Sequence, residues 1–268
     1  MKVGVLGTKA KIKYENVIHE VVTYVQSLGY AAVEFERPQD IGGVDVVVVL
    51  GGDGAILHAA LTSAQNGVKI VGVNYGSLGF LTEFEKDEKE GLATILAQFE
   101  KGACRIVKRS LLQVEVGAKT YYALNEVAMH RDCGYAPEKQ AQLLKVKAHT
   151  REGACVVAGD GVLICTPTGS TAYSLSAGGA ILTPEVPVFM LTPICAFSMR
   201  ARPIVFSNDE EVALQVEKGR SAVTVDGLPV ACLPETATVF IKKAPFTADF
   251  LVKDSSDFFT KVKTKLNE

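Results

Sequence analysis

VDVVVVLGGDGAIL, residues 44–57, decides the fold. Val44–Leu50 is almost wholly aliphatic and β-branched, as expected of a strand buried on both faces. The three glycines of Gly51–Gly54 let the backbone turn sharply, and a helix is predicted from Ala55 to about Gln65. Strand, glycine turn and helix in that order is the repeating unit of a parallel α/β sheet.

The neighbouring segments repeat this unit. Lys2–Gly7 reads as a short apolar strand ending in glycine. Asn16–Leu28 places Val17, Val21, Val25 and Leu28 at helical spacing, and Gly29 stops it. Ala31–Phe35 and Val68–Val73 read as further strands. NYGSLGFLTEF (74–84) is a second glycine-rich turn, with Phe80 and Leu81 expected in the core. Glu88–Glu100 is a helix with Leu92, Ile95, Leu96 and Phe99 on one face. Strands alternating with helices predict a parallel sheet covered by helices.

The pattern changes after Gly102. CRIVKRSLLQVEVG (104–117), KTYYALNEVAMHR (119–131), QLLKVKAHTR (142–151) and ACVVAGDGVLICT (154–166) are short, alternating and turn-bounded. RPIVFS (202–207), EVALQVE (211–217), AVTVDG (222–227) and ATVFIKKA (237–244) continue the series, which predicts antiparallel strands. The exception is a short helix expected over Ser174–Ile181. DSSDFFTKVKTKL (254–266) returns to helical spacing through Phe258, Val262 and Leu266, with Asp254 or Ser255 as its cap. The expected fold class is therefore α/β plus all-β. An α/β domain over 1–102 and 246–268 receives the C-terminal helix, and a β-rich domain spans 103–245.

A chain of 268 residues, 48% hydrophobic and 22% charged, can build a substantial core and is not disordered by composition. A formal net charge of −2 gives no reason to expect a nucleic-acid partner. No apolar run reaches the roughly 20 residues needed to cross a bilayer, so no membrane partner is expected either. MKVGVLGTKAKIKYENV (1–17) reads as a strand and helix start rather than a signal peptide. The six cysteines (104, 133, 155, 165, 195 and 232) form no CxxC pair and are expected to be buried reduced thiols of a cytoplasmic protein. His19, His58, His130 and His149 show no metal-ligand spacing, so no metal site built from protein ligands is expected.

Three segments carry chemistry. The buried strand Val162–Cys165 runs into TPTGSTAYS (166–174), rich in hydroxyls and glycine and suited to presenting hydroxyl and N–H groups to a polar ligand. With GGDG after the Val44–Leu50 strand, it suggests a cleft for a phosphorylated ligand. Asp53 stands at a helix start, where it is either a reacting carboxylate or merely a cap. Asn125 and Glu126 can hold a ribose diol or are an exposed strand-end pair.

GGDG alone resembles a phosphoryl-transfer superfamily that includes diacylglycerol kinases and phosphofructokinases. LGGDGAILHA (50–59), NYGSLGFLTEF, LNEVAMHR (124–131), GDGVLICTPTGSTAYSLSAGG (159–179), LTPICAFSMRARPIV (191–205) and VDG (225–227) together resemble the NAD kinases, in that family's order and approximate spacing. The resemblance implies transfer of the γ-phosphoryl group of ATP, or of another donor such as polyphosphate, to the 2′-hydroxyl of the adenosine ribose of NAD. It implies Mg²⁺ or another divalent cation with the ATP, and a homodimer or homotetramer.

Residue by residue, the resemblance makes Asp53 the general base and Gly51 and Gly52 a phosphate loop. Gly54, His58, Asn125, Glu126, Asp160 and the run Thr171, Ala172, Tyr173, Ser174, Leu175 and Ser176 are the residues it implies for the NAD site. The chain departs from the family pattern at Ala55, where threonine is commoner, and at Ala158, where arginine is frequent. It departs again at Ala196 and Phe197, where many relatives have Pro-His. Two other readings compete: a non-catalytic NAD(P)-binding sensor, and a lipid or sugar kinase sharing only GGDG.

Overall fold

The valine run forms β3 (Val46–Leu50), every residue of which is buried, in a computed structural model that describes residues 1–7, 15–76, 79–132 and 143–266. The chain divides into two compact units, Met1–Lys108 with Phe246–Glu268, and Arg109–Pro245.

In the first unit, β1 (Lys2–Gly7), α1 (Glu15–Ser27), β2 (Ala31–Phe35), β3, α2 (Asp53–Gln65) and β4 (Lys69–Asn74) alternate as the sequence predicts. The strands lie in the order β2-β1-β3-β4, all parallel. A two-residue strand that the sequence did not reveal, β5 (Phe84–Glu85), extends the sheet beyond β4, and α3 (Lys89–Glu100) follows. The core gathers Val3, Val5, Val46, Val48 and Leu50 with Ile18, Val21 and Val25 of α1 and Leu92, Ile95 and Leu96 of α3.

The second unit contains β6 (Arg105–Val116, starting just before the unit boundary), β7 (Lys119–Ala123), β8 (Glu126–Arg131), β9 (Leu144–Thr150), β10 (Gly153–Gly159) and β11 (Gly161–Cys165). After α4 (Tyr173–Ser176) come β12 (Val188–Ile194), β13 (Ile204–Ser207), β14 (Val212–Lys218), β15 (Ser221–Val225), β16 (Leu228–Leu233) and β17 (Thr238–Val252). One antiparallel sheet runs β13-β12-β11-β8-β15-β16. The strands β10-β9-β14-β17 are antiparallel to one another as well. Val146, Leu214 and Ile241 from the second set share a core with Met129, Ile164, Phe189 and Val223 from the first. Strand faces that bury alternate residues against one another make a β-sandwich.

The chain then returns to the first unit. Phe250 of β17 pairs with Ile70 of β4 in parallel, and α5 (Phe258–Leu266) closes that unit.

Four expectations are corrected. The helix after Gly169 covers only Tyr173–Ser176 instead of running to Ile181, since Gly178 adopts φ +87 and ends it. The α5 cap is Asp257, which accepts the Phe259 N–H and the Thr260 hydroxyl, in place of Asp254 or Ser255. α2 begins at Asp53, two residues earlier than expected. Of the cysteines, Cys165 is buried, but Cys195, at the end of β12, and Cys232, on the edge strand β16, are exposed. Cys133, Gln142 and the Ser77–Leu78 step of the second glycine turn lie outside the described residues.

Candidate functional site

Asp53 does not cap its helix. Gly52 is the N-cap of α2, and the Asp53 carboxylate reaches across to the turn at 79–81. There Oδ2 accepts the Phe80 N–H at 2.8 Å and Oδ1 accepts the Leu81 N–H at 2.9 Å. Glycine is required at position 79, because a Cβ there would lie 2.1 Å from Asp53 Oδ1. Lys265 of α5 places its ammonium 3.6 Å from Oδ2 and 4.6 Å from the centre of the Phe80 ring. Phe80 is half-buried, with Phe258 at 6.2 Å between ring centres, while Leu81 is in the core. Around Asp53, Gly51 and Gly52 are half-buried, and Gly54 and His58 are exposed on the first turns of α2.

Asn125 and Glu126 sit where the chain passes from β7 into β8. Glu126 is 7% exposed, so the exposed-pair reading fails for it. Its carboxyl receives the Tyr173 backbone N–H, while Oε2 is buried with no hydrogen-bond partner. Burial first, and then the charge of Asp226, pushes the Glu126 carboxyl up to about 7. Asp226 occupies the turn between β15 and β16 and accepts the N–H groups of Leu124, Asn125 and Glu126.

The TPTGSTAYS segment spends most of its hydroxyls on the protein itself, within the loop or on the residues beneath it. Thr166 donates to Leu124 O, Ser170 to Pro167 O, and Thr171 to Thr168 O. Ser174 is fully buried against the Thr192 hydroxyl at 2.9 Å. The hydroxyls therefore brace the loop, and Ser174 faces the interior. Gly169 packs so tightly on Asn125 that a Cβ would lie 2.1 Å from its carbonyl oxygen. The buried Arg109 donates to Thr168 from below at 3.2 Å.

What the segment leaves open is Tyr173, 41% exposed, Ser176, also exposed, and the half-buried Thr171, Ala172 and Leu175. Burial and then the nearby Cys195, Asp160 and Glu126 raise the Tyr173 phenol above its ordinary value. Burial pushes the Cys165 thiol up to about 12, so it stays protonated. Asp160, at the β10–β11 step, pairs with Arg131 at 3.1 Å.

The second unit thus joins Asn125, Glu126, Tyr173 and their supports in one cluster, with Asp160 near Tyr173. The sequence assigned no role to Asp226, Thr166, Gly79, Phe80 or Lys265. Asp226 was marked by the VDG segment of the family resemblance and by an Asp-Gly step between two strands, the usual mark of a tight hairpin, but neither gave it a role.

The ATP-NAD kinase N-terminal domain model matches residues 6–104, and the ATP-NAD kinase C-terminal domain model matches residues 124–252. The chain is 36% identical over 234 residues to the NAD kinase of Carboxydothermus hydrogenoformans, covering 84% of this chain and 80% of that one. It is 32% identical over 271 residues to the NAD kinase of Fusobacterium nucleatum, covering 99% and 97%. Among solved structures, an NAD kinase from Archaeoglobus fulgidus in complex with ATP superposes with a TM-score of 0.80 at 25% identity, over 98% of this chain and 99% of that one. Both matched domain models, one over the α/β unit and one over the sandwich, are those of kinases. The chain belongs to the NAD kinase family.

Proposed function

We propose that this chain phosphorylates NAD, moving the γ-phosphoryl group of ATP to the 2′-hydroxyl of the adenosine ribose and releasing NADP and ADP. The observation that carries the reading is the match of both NAD kinase domain models, which together take in GGDG and the Asn125–Glu126 arch. In the step, the bond from the ribose oxygen to γ-phosphorus forms as the β–γ bridging bond breaks. The hydroxyl proton passes to Asp53. Each carboxylate oxygen has two lone pairs, so Asp53 can accept it while keeping one bond to the 79–81 turn. Such transfer depends on positioning and charge neutralisation more than on covalent chemistry.

In this reading Gly51 and Gly52 cradle phosphate oxygens with backbone N–H groups. Asn125, Glu126 and Tyr173 hold the dinucleotide, the tyrosine offering a flat face and a hydroxyl edge. Among the described residues no three His, Cys, Asp or Glu cluster as metal ligands. In this reading a divalent cation, Mg²⁺ by default, comes with the phosphates of the nucleotide substrate. No helix among the described residues is long and apolar enough to cross a membrane. A cytoplasmic homodimer or homotetramer completes the proposal.

The test is NADP formation from NAD and ATP with Mg²⁺, read by an NADP-specific dehydrogenase. No NADP from a folded preparation, across ATP and polyphosphate as donors, rejects it.

A further inference from the structure

Every backbone N–H and carbonyl of the Asn125–Glu126 arch already has a partner. The N–H groups of Leu124, Asn125 and Glu126 donate to the Asp226 carboxylate at 2.8, 2.8 and 3.1 Å. The three carbonyls are also taken. Leu124 O accepts the Thr166 hydroxyl, Asn125 O the Thr166 N–H at 2.9 Å, and Glu126 O the Asp226 N–H at 2.9 Å. Two residues, Asp226 from the β15–β16 turn and Thr166 from the end of β11, therefore fix three consecutive peptides.

The side chain of Glu126 is in the opposite condition. It is nine-tenths buried, and Oε2 lacks a partner. A buried polar atom left without a partner costs free energy that a ligand donor or acceptor would recover.

Asp226 is itself held in left-handed backbone, φ +48, followed by Gly227 at φ +77. That pair of conformations is the one a two-residue hairpin turn selects. For a residue with a side chain it is an uncommon backbone, kept where the surroundings over-determine it.

We propose that Asp226 is the positioning residue of this cluster, fixing the peptide from which Asn125 and Glu126 meet the dinucleotide. The proposal rests on the NAD reading given above. A charged acceptor strengthens the three N–H bonds, which a neutral side chain would not reproduce.

The same charge acts on the Glu126 carboxyl. The groups facing Glu126 are Asp226 from the hairpin turn, the Cys165 thiol from β11, and from α4 the Tyr173 N–H with its phenol. Cys165 stays protonated, and the Tyr173 N–H favours the carboxylate. Burial is the larger cause of the raised Glu126 carboxyl, and Asp226 is the neighbour whose charge adds to it. Removing that charge lets Glu126 ionise at lower pH.

The experiment compares full-length wild type with Asp226→Asn, Asp226→Glu and Thr166→Val. KM for NAD, KM for ATP, kcat and thermal melting are measured from pH 5.5 to 8.5. Asp226→Asn is expected to raise KM for NAD about tenfold or more and to change KM for ATP less than about twofold. It should also move the inflection of kcat/KM for NAD to lower pH. Asp226→Glu keeps the charge but displaces the arch, so KM for NAD rises and the inflection stays. Thr166→Val loosens the arch from the other side, again without moving the inflection.

A folded Asp226→Asn enzyme with wild-type KM for NAD overturns the proposal. So does one in which both KM values rise, melting falls and the inflection does not move, since that is the signature of general loosening. If the asparagine variant does not fold, a wild-type KM for NAD in Asp226→Glu overturns it instead. A folded wild type that makes no NADP rejects the NAD reading, and this proposal with it. An active wild type with indifferent variants rejects this proposal alone.

Discussion

Asp53 and Glu126 are both carboxyl groups beside buried strands, and their surroundings are opposite. Asp53 is 35% exposed and has two backbone N–H donors and the Lys265 ammonium around it. Glu126 is 7% exposed, has one N–H donor, and keeps an oxygen with none. A fixed negative charge, Asp226, lies beside it. The first setting suits a negative charge, and the second resists one. A proton acceptor for phosphoryl transfer fits the first, because its charge needs no substrate to stabilise it. A recognition group fits the second, because the partner it lacks is one a ligand can supply.

The comparison breaks most readily at Asp53. Asp53→Asn is expected to lower kcat by about 10²–10⁴-fold, the usual contribution of a general base. It should also lower the melting temperature, because the amide must set an N–H against the Phe80 or Leu81 N–H. That misfit costs about 1–3 kcal/mol. Turnover at saturating NAD and ATP, with melting as control, decides. A near-wild-type kcat would leave Asp53 as a brace for the 79–81 turn and nothing more.

Glu126→Gln sharpens the other side. Glutamine keeps the shape and removes the buried ionisation. Native Glu126 is raised from 4.5 to about 7, so the folded state resists its charging. The cost is absent below about pH 4.5, grows through pH 7 and is then constant, on the order of 3 kcal/mol. The variant should match wild type in stability near pH 4.5 and exceed it above pH 7, by denaturant unfolding across that range. A difference that does not change with pH would mean that Glu126 is not held against ionisation.

The smallest expected effect is at Tyr173. With 41% of it exposed, it is not a core anchor, so neither Tyr173→Phe nor Tyr173→Ala should shift melting by much. The phenylalanine variant should lose about 0.5–1.5 kcal/mol of NAD affinity, the worth of one neutral hydrogen bond. The alanine variant should lose more by calorimetric titration, because the ring face goes too. An alanine variant that binds NAD normally and melts early would move Tyr173 into the scaffold.

Elements governed by periodicity were legible in the sequence. The buried β-branched runs of β1 and β3 and the helical stripes of α1 and α3 follow from which residues must avoid water. Two strands escaped because proline obscured them: β12 contains Pro193 and β16 contains Pro229, and proline weakens a strand reading. The site was legible as residue types but not as directions. TPTGSTAYS announces hydroxyls, yet Ser170 and Ser174 turn inward, because a buried loop must satisfy its own carbonyls and hydroxyls first. Asp226 was hidden for the related reason that it acts a hundred residues away along the chain. No local spacing encodes which peptide a turn aspartate will face.

Lys265, the ionic neighbour of Asp53, has a consequence for the order of assembly. The first unit begins at Met1 and is completed only by Phe246–Glu268, after the whole of the contiguous second unit has been synthesised. A chain emerging from the ribosome can fold the sandwich, the first part of β17 included, while the end of β17 that pairs with β4 and the helix carrying Lys265 do not yet exist. The surroundings of Asp53 are therefore assembled late, so a truncated product carries GGDG without the cation that faces its aspartate.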